Sequence, residues 1–233
     1  DSYQDVLLSQ YAHGMSIVEI EFRDGRWQTR PSGYARRIHA NTPVRFSGPA
    51  AGHHLLLNRA NNLFKGTLSN CSCGETPWGT YLTCEENFNF YFGGSGSFSP
   101  TSHQQRYGLH ESGSDYGWYE FDPRFDLSND DYANEANRFG WVMEVDPRDP
   151  AHVPVKRTAL GRLKHESATT VEAPDGRLIV YMGDDSRDEF IYRYVSARPW
   201  REMREAGISP LDEGRLYVAR FDVGGFGEWL HLH

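Results

Sequence analysis

Turn-forming residues interrupt this sequence so often that short strands are its favoured elements. Residues 16–22 alternate apolar and polar side chains, and Asp24 and Gly25 separate them from a second such stretch at 26–29. This alternation is typical of half-buried strands, and an Asp-Gly pair between two of them predicts a hairpin. The 23 glycines and 12 prolines are spread along the whole chain. We therefore predict an all-β protein.

The same patterns predict where the other elements lie. A second hairpin is expected from residues 169–172 and 178–182, around Asp175 and Gly176. Only residues 199–206 have the pattern of a helix, and a short one. Further strands are predicted at 54–58, 80–85, 117–122, 140–146, 190–195, 215–221 and 228–232.

A four-residue pattern recurs along the chain. Asp-Gly-Arg-Leu at 175–178 returns 38 residues later as Glu-Gly-Arg-Leu at 213–216, and Asp-Gly-Arg-Trp stands at 24–27. A spacing near 40 residues fits one four-stranded blade of a β-propeller. Ordinary hairpin turns would give the same pattern without a structural repeat, so the residues alone leave both interpretations open.

The charge of the chain argues against one class of partner. It has 24 basic and 32 acidic residues, a net charge of −8 and a pI of about 5.7. Binding nucleic acid without sequence preference needs a basic surface, so we predict no nucleic-acid partner. No apolar run approaches the roughly 18 residues of a membrane span, so none is predicted either.

All three cysteines, with three glutamates, lie in the segment 70–87. An odd number of clustered cysteines does not predict a disulfide framework. Cys71, Cys73 and Cys84 could give zinc three thiolates, but no histidine completes the set. One thiolate with carboxylates would suit iron better, and free thiols packed in a core would need no metal.

Strand alternation separates the two adjacent glutamates of this segment. Cys84 and Glu86 would share one face of a strand, while Thr83 and Glu85 would share the other. Only one of the two glutamates can therefore point at a given centre. The alternation alone does not decide which of the two it is.

Two further segments carry groups that bind metals or transfer protons. His165 and Glu166 form a doublet that could ligate a metal or act as acid and base, or could lie in an ordinary surface loop. Residues 183–188 contain three aspartates at the end of an apolar strand. Such a set suits Ca²⁺, which takes six to eight oxygen ligands, although an aspartate-rich turn is an equal alternative.

Several segments, in the same order, resemble the PhoX family of bacterial alkaline phosphatases. The most specific one has Gly-Thr-Leu-Ser-Asn-Cys at 66–71, Thr-Pro-Trp-Gly-Thr at 76–80 and Thr-Cys-Glu-Glu-Asn at 83–87. The resemblance covers essentially all 233 residues. The other matching segments are 14–19 with 26–27, 36–39 with 42–43, 47–53, 160–162 with 164–166, and 181–185.

This resemblance implies a six-bladed β-propeller, of which residues 1–233 would form about three blades with long loop insertions. The chain would then be a partial domain that lacks both ends of the family domain. The implied centre has two ferric ions joined by an oxo bridge, with Ca²⁺ ions alongside. Cys71, Glu86 and Glu166 match the family's metal ligands, whereas Ser72 and Cys73 replace small residues of its pattern.

The resemblance also implies an alkaline phosphatase that releases inorganic phosphate from small phosphomonoesters, in the periplasm or secreted, as a monomer when full-length. Because terminal ligands would be missing, we expect these 233 residues alone to have little or no activity. Two alternatives stay open. One is a non-catalytic propeller that binds a glycan or a protein, and the other is a calcium-only propeller hydrolase that acts on phosphodiesters or lactones.

Overall fold

The computed structural model describes residues 2–110 and 115–232, which contain three α-helices. Ser2 caps helix α1 (Tyr3–Ala12) through hydrogen bonds exchanged with Asp5, which satisfy backbone donors at the helix start. Helix α2 spans Ser102–Arg106, and helix α3 spans Trp200–Glu205. Short 3-10 helices lie at His54–Leu56, Phe88–Tyr91, Trp118–Glu120, Pro123–Phe125, Asp130–Tyr132, Glu135–Arg138 and Thr158–Leu160.

Fourteen strands form four sheets in the described residues. Two of these sheets have only two strands each, β1 with β4 and β2 with β3. The strands are β1 (Met15–Ile17), β2 (Glu19–Arg23), β3 (Arg26–Arg30), β4 (Arg36–Ile38), β5 (Arg45–Ser47), β6 (Asn70–Glu75), β7 (Tyr81–Glu85), β8 (Val142–Val145), β9 (Val155–Arg157), β10 (Thr169–Glu172), β11 (Arg177–Gly183), β12 (Ile191–Pro199), β13 (Gly214–Phe221) and β14 (Gly227–His231).

The third sheet, here called the mixed sheet, has the strand order β5-β9-β8-β7-β6. Its β5 runs parallel to β9, and the other pairs are antiparallel. Strand β8 is buried on both faces: Val142 packs in one hydrophobic cluster with Leu178, and Met143 packs in another with Ile38.

The fourth sheet, here called the antiparallel sheet, has β10 to β14 in sequence order. It meets the mixed sheet at Gly74 of β6, where a Cβ atom would lie 1.9 Å from the carbonyl oxygen of Ala168. The Thr170 hydroxyl donates a hydrogen bond of 2.6 Å to the carbonyl oxygen of Glu75 across the same junction. Glycine alone permits this approach, which places β6 against the segment preceding β10.

Between β7 and β8 the chain forms short helical turns around an aromatic core. Phe88, Trp118 and Phe125 are almost completely buried there. The carboxylate of Glu135, also buried, accepts hydrogen bonds of 2.9 Å from Arg124 and 2.8 Å from Arg138. Each charge keeps a partner after losing water, which a buried ion requires.

The predicted all-β propeller is wrong. The described residues form four open sheets together with helices, and they show no closed ring of four-stranded blades. The mixed sheet has a non-sequential strand order and one parallel pair, neither of which belongs to an up-and-down blade. The Asp-Gly pattern marks hairpin turns around Gly25 and Gly176, so local turn chemistry explains these two occurrences.

Several individual elements can be compared with the sequence patterns. Both predicted hairpins and the helix at α3 are confirmed, as are the strands that became β7, β8 and β12 to β14, but α1 and α2 show that α3 is not the only helix. Residues 54–58 and 117–122 were predicted as strands, but they contain 3-10 turns, because Trp118 packs into the compact aromatic core and the His53 side chain caps the turn at Leu55. No helix in the described parts of the chain has both the length and the apolar composition to cross a membrane.

Candidate metal centre

Three carboxylates converge where the two five-stranded sheets meet. Each of Glu86, Glu166 and Asp185 offers an oxygen, and these oxygens lie within 4.8 Å of one another. Glu86 follows β7 of the mixed sheet, Glu166 precedes β10, and Asp185 follows β11 of the antiparallel sheet. Glu86 is half-buried, and the other two are exposed. The group is therefore shared by two sheets and open to solvent.

Backbone hydrogen bonds hold the three segments in this arrangement. The N–H of His165 donates to the carbonyl oxygen of Glu85 at 3.0 Å. On the other side, the N–H of Glu166 donates to Gly183 at 3.3 Å, and the N–H of Asp185 donates to Lys164 at 3.1 Å. These hydrogen bonds are made by the peptide groups of Glu166 and Asp185 and by that of Glu85, which precedes Glu86. They fix the three acidic residues relative to one another.

The electrostatics of the cluster favour a bound cation. Burial raises the pKa of Glu86 above its usual value, and a hydrogen bond with Asp185 and the charges of Asp185 and Glu166 raise it further. Carboxylates this close repel one another when they are all ionised. A cation among them would remove the repulsion, so the cluster fits a metal ion in its charge as well as its geometry.

The thiol of Cys71 lies beside this cluster. Burial raises the pKa of Cys71, and so do a hydrogen bond with Glu86 and the charges of Glu86 and Glu166. A thiolate is the metal-binding form of cysteine, and a neighbouring cation favours it. Cys71 is exposed and free, so it is available as a ligand on the side of Glu86.

The other two cysteines do not join Cys71 in a zinc site. Cys84 is buried in a hydrophobic cluster with Leu82 and Val142, where burial raises its pKa strongly. Cys73 is exposed and lies in hydrogen-bond contact with Tyr81. Among the described residues, the three thiols do not form a group close enough to share an ion. The zinc alternative therefore lacks its ligands here.

Glu85 is separated from the cluster, as strand alternation predicts. Its carboxylate is completely buried and accepts hydrogen bonds from Lys156 Nζ at 2.8 Å and from the N–H groups of Gly140 and Trp141 at 3.0 and 3.1 Å. Lys156 is equally buried and also donates to the carbonyl oxygen of Arg138 at 2.6 Å. Glu85 therefore neutralises a buried ammonium group, and Glu86 is left to face the cluster.

Asp185 is the residue that sequence reasoning failed to place. Residues 183–188 suggested a separate Ca²⁺ site, yet the structure brings Asp185 into the group with Glu86 and Glu166. The missing information was the pairing of His165 with Asp184 in an isolated antiparallel bridge, which joins the two segments. An aspartate pair directly after a buried strand was the available signal.

Known proteins match this chain over essentially its whole length. A model of the family described as alkaline phosphatase PhoX matches residues 2–233. A solved structure, Pseudomonas fluorescens PhoX in complex with vanadate, a transition state analogue, is 47% identical with a TM-score of 0.91. The match covers all of this chain and 42% of that one. No curated protein matches the chain.

Proposed function

Because this chain belongs to the PhoX family of alkaline phosphatases, we propose that it hydrolyses phosphomonoesters with the help of cations held by Glu86, Glu166, Asp185 and Cys71. The observation that carries the proposal is the convergence of three carboxylates from three separate segments within 4.8 Å. The family match indicates the class of reaction, and the carboxylate cluster is the candidate site for that reaction in this chain.

The donor set fits the cations that the resemblance implies. Glu86, Glu166 and Asp185 offer hard oxygen donors of the kind that Ca²⁺ and ferric iron take, and Cys71 adds one thiolate donor suited to iron. Bound cations would supply Lewis-acid stabilisation of the charge on the phosphoryl oxygens.

Residues of the chain itself orient this site and attract the substrate. The side chain N–H of Asn87 donates a hydrogen bond of 2.5 Å to Glu86 Oε1, which fixes the direction of that carboxylate. The ammonium group of Lys164 lies 5.8 Å from the centre of the Phe90 ring, two residues before Glu166. The carbonyl oxygen of Lys164 accepts the N–H of Asp185, so this segment brings a positively charged residue next to the cluster, where it would attract a phosphate.

The chain spans 42% of the length of the solved PhoX structure that it matches, so the activity of a whole enzyme stays a proposal for it. Two other functions would give different results in the same assay. A binding protein for glycans or proteins would show no cation-dependent hydrolysis. A calcium-only hydrolase would act without iron and would favour a phosphodiester or a lactone.

The test is release of a chromogenic phenol from a phosphomonoester with Ca²⁺ and ferric iron, at protein concentrations high enough to detect slow turnover. Because little activity is expected of these 233 residues alone, we expect slow hydrolysis that requires cations, is inhibited by vanadate and is lost in Glu86→Gln. The matched control is Glu75→Gln, an exposed glutamate on β6. Absence of cation-dependent hydrolysis, or equal rates in Glu86→Gln and Glu75→Gln, would overturn the proposal.

A further inference from the structure

Ser69 has a strained backbone directly beside Glu86. Its φ of 49° lies in the left-handed region, which non-glycine residues seldom adopt and which costs free energy unless the surroundings impose it. Its carbonyl oxygen accepts the N–H of Glu86 at 3.0 Å, and its hydroxyl accepts the N–H of Asn87 at 3.0 Å. Ser69 thus holds two consecutive peptide groups at the candidate metal centre.

A line of polar groups continues from Ser69 to the end of helix α1. The Ser69 hydroxyl interacts with the hydroxyl of Tyr91. The Tyr91 hydroxyl lies 2.8 Å from His13 Nε2, and His13 Nδ1 lies 2.6 Å from the carbonyl oxygen of Ser9. Four residues from three segments are connected in this way.

The donors and acceptors along this line have one consistent direction. The carbonyl oxygen of Ser9 can only accept, so the hydrogen of a neutral His13 ring is on Nδ1. Nε2 then accepts from the Tyr91 hydroxyl, and burial raises the pKa of Tyr91, which keeps its proton in place. The Tyr91 oxygen is left to accept from the Ser69 hydroxyl, which itself accepts from Asn87.

Ring packing keeps the middle of the line rigid. Tyr91 stacks on Tyr116 with ring centres 4.5 Å apart and an angle of 5°. His13 meets the rings of Tyr91 and Trp118 edge-on, at 4.9 and 5.0 Å. The Tyr91 hydroxyl therefore has little freedom to turn away from Ser69.

We propose that His13, Tyr91 and Ser69 are positioning residues that fix the peptide groups of Glu86 and Asn87, and through them the direction of the Glu86 carboxylate. This inference rests on the proposed role of Glu86 as a cation ligand. Residues outside the ligands commonly set the geometry and the affinity of a metal site. The strain at Ser69 is then the cost of holding Glu86 in its binding direction.

The test measures binding of Ca²⁺ alone by calorimetric titration of the chelator-treated chain. Tyr91→Phe removes only the hydroxyl, and Tyr119→Phe is the matched control because Tyr119 packs against the same aromatic core. Ser69→Gly removes the hydroxyl and introduces glycine, which adopts a positive φ without strain. We expect Tyr91→Phe and Ser69→Gly each to raise the Kd for Ca²⁺ roughly 10-fold, with Tyr119→Phe unchanged.

The double variant separates positioning from general packing. If Tyr91 acts through Ser69, the pair Tyr91→Phe with Ser69→Gly raises Kd no further than either single change, because coupled residues are not additive. If the fold-increase in Kd of the double variant equals the product of the two single increases, the proposal is overturned. Equal Kd values for Ca²⁺ in Tyr91→Phe and Tyr119→Phe would also overturn it, whether or not Tyr91→Phe is less stable in urea.

A Glu86→Gln variant distinguishes failure of this inference from failure of the proposed function. A normal Kd for Ca²⁺ in Glu86→Gln would overturn both. A weakened Kd in Glu86→Gln together with a normal Kd in Tyr91→Phe would overturn only the positioning chain.

Discussion

The backbone N–H of His165 donates a hydrogen bond of 3.0 Å to the carbonyl oxygen of Glu85. The residues that follow each partner, Glu166 and Glu86, therefore come to lie side by side although they are far apart in sequence. The side chain of Glu85 turns inward to Lys156, and that of Glu86 turns to the cluster. Two adjacent glutamates therefore have different roles: Glu85 stabilises the fold, and Glu86 is a candidate metal ligand.

Glu86→Gln should weaken cation binding without lowering the stability of the chelated protein. The change keeps the shape of the side chain and removes one of three charges that repel one another. Thermal unfolding with and without Ca²⁺ measures both effects, with Glu75→Gln as the control. An unchanged rise of Tm on adding Ca²⁺ would contradict the assignment.

Glu85→Gln should destabilise the fold by about 3–5 kcal/mol, since it leaves the buried Lys156 ammonium without a charged partner. Urea unfolding of the chelated protein measures the loss. Replacing both partners, as in Glu85→Leu with Lys156→Met, should recover part of the stability because no unpaired charge remains, although the N–H groups of Gly140 and Trp141 lose their acceptor. A Glu85→Gln variant with the stability of the wild type would show that the pair contributes little.

Ferric iron added to the chain should give a visible absorption band that depends on Cys71. A thiolate bound to ferric iron transfers charge to the metal, whereas carboxylates alone do not produce the same colour. Cys71→Ser should abolish the band, and Cys73→Ser, which changes another exposed thiol of β6, should keep it. Loss of the band in Cys73→Ser but not in Cys71→Ser would reverse the assignment.

Glu144 should contribute stability that is lost in acid. Burial raises its pKa, but Arg157, at 2.7 Å, and hydrogen bonds from Thr80 and Trp78 outweigh burial, so the pKa of Glu144 lies below its usual value of 4.5. A carboxylate with a lowered folded pKa stabilises the protein above its unfolded pKa, and this stability disappears as the pH falls through the folded value.

Urea unfolding across the range from pH 6 to the acid limit tests this expectation. The wild type should lose more stability below about pH 4.5 than Glu144→Gln does. Parallel curves for the two proteins would show that Glu144 does not titrate in this way.

Gly74→Ala should disrupt the junction of the two sheets, because the new Cβ atom would lie 1.9 Å from the carbonyl oxygen of Ala168. Backbone must move to relieve such a contact, so stability and Ca²⁺ affinity should fall together. Gly33→Ala is the control, since no atom lies within 4 Å of its added Cβ. Equal behaviour of the two variants in thermal unfolding and calorimetry would contradict this prediction.

Local patterns predicted local structure well and overall architecture poorly. Alternation and Asp-Gly turns identified both hairpins, and Glu86, predicted as a ligand from the motif at 83–87, lies in the carboxylate cluster. The short helical turns between β7 and β8 were missed because their apolar residues pack into one aromatic core, an arrangement without a simple period. The link of Asp185 to the cluster depends on a long-range bridge that no local pattern encodes.

An ion bound near the junction at Gly74 would also stabilise the contact between the two sheets. Glu86 follows a strand of the mixed sheet, while Glu166 and Asp185 flank strands of the antiparallel sheet. A cation held by all three would therefore link the two sheets. Any ligand that binds only the folded state adds RT ln(1 + [L]/Kd) to its stability. The resistance of this protein to unfolding would then rise with the concentration of that cation around it.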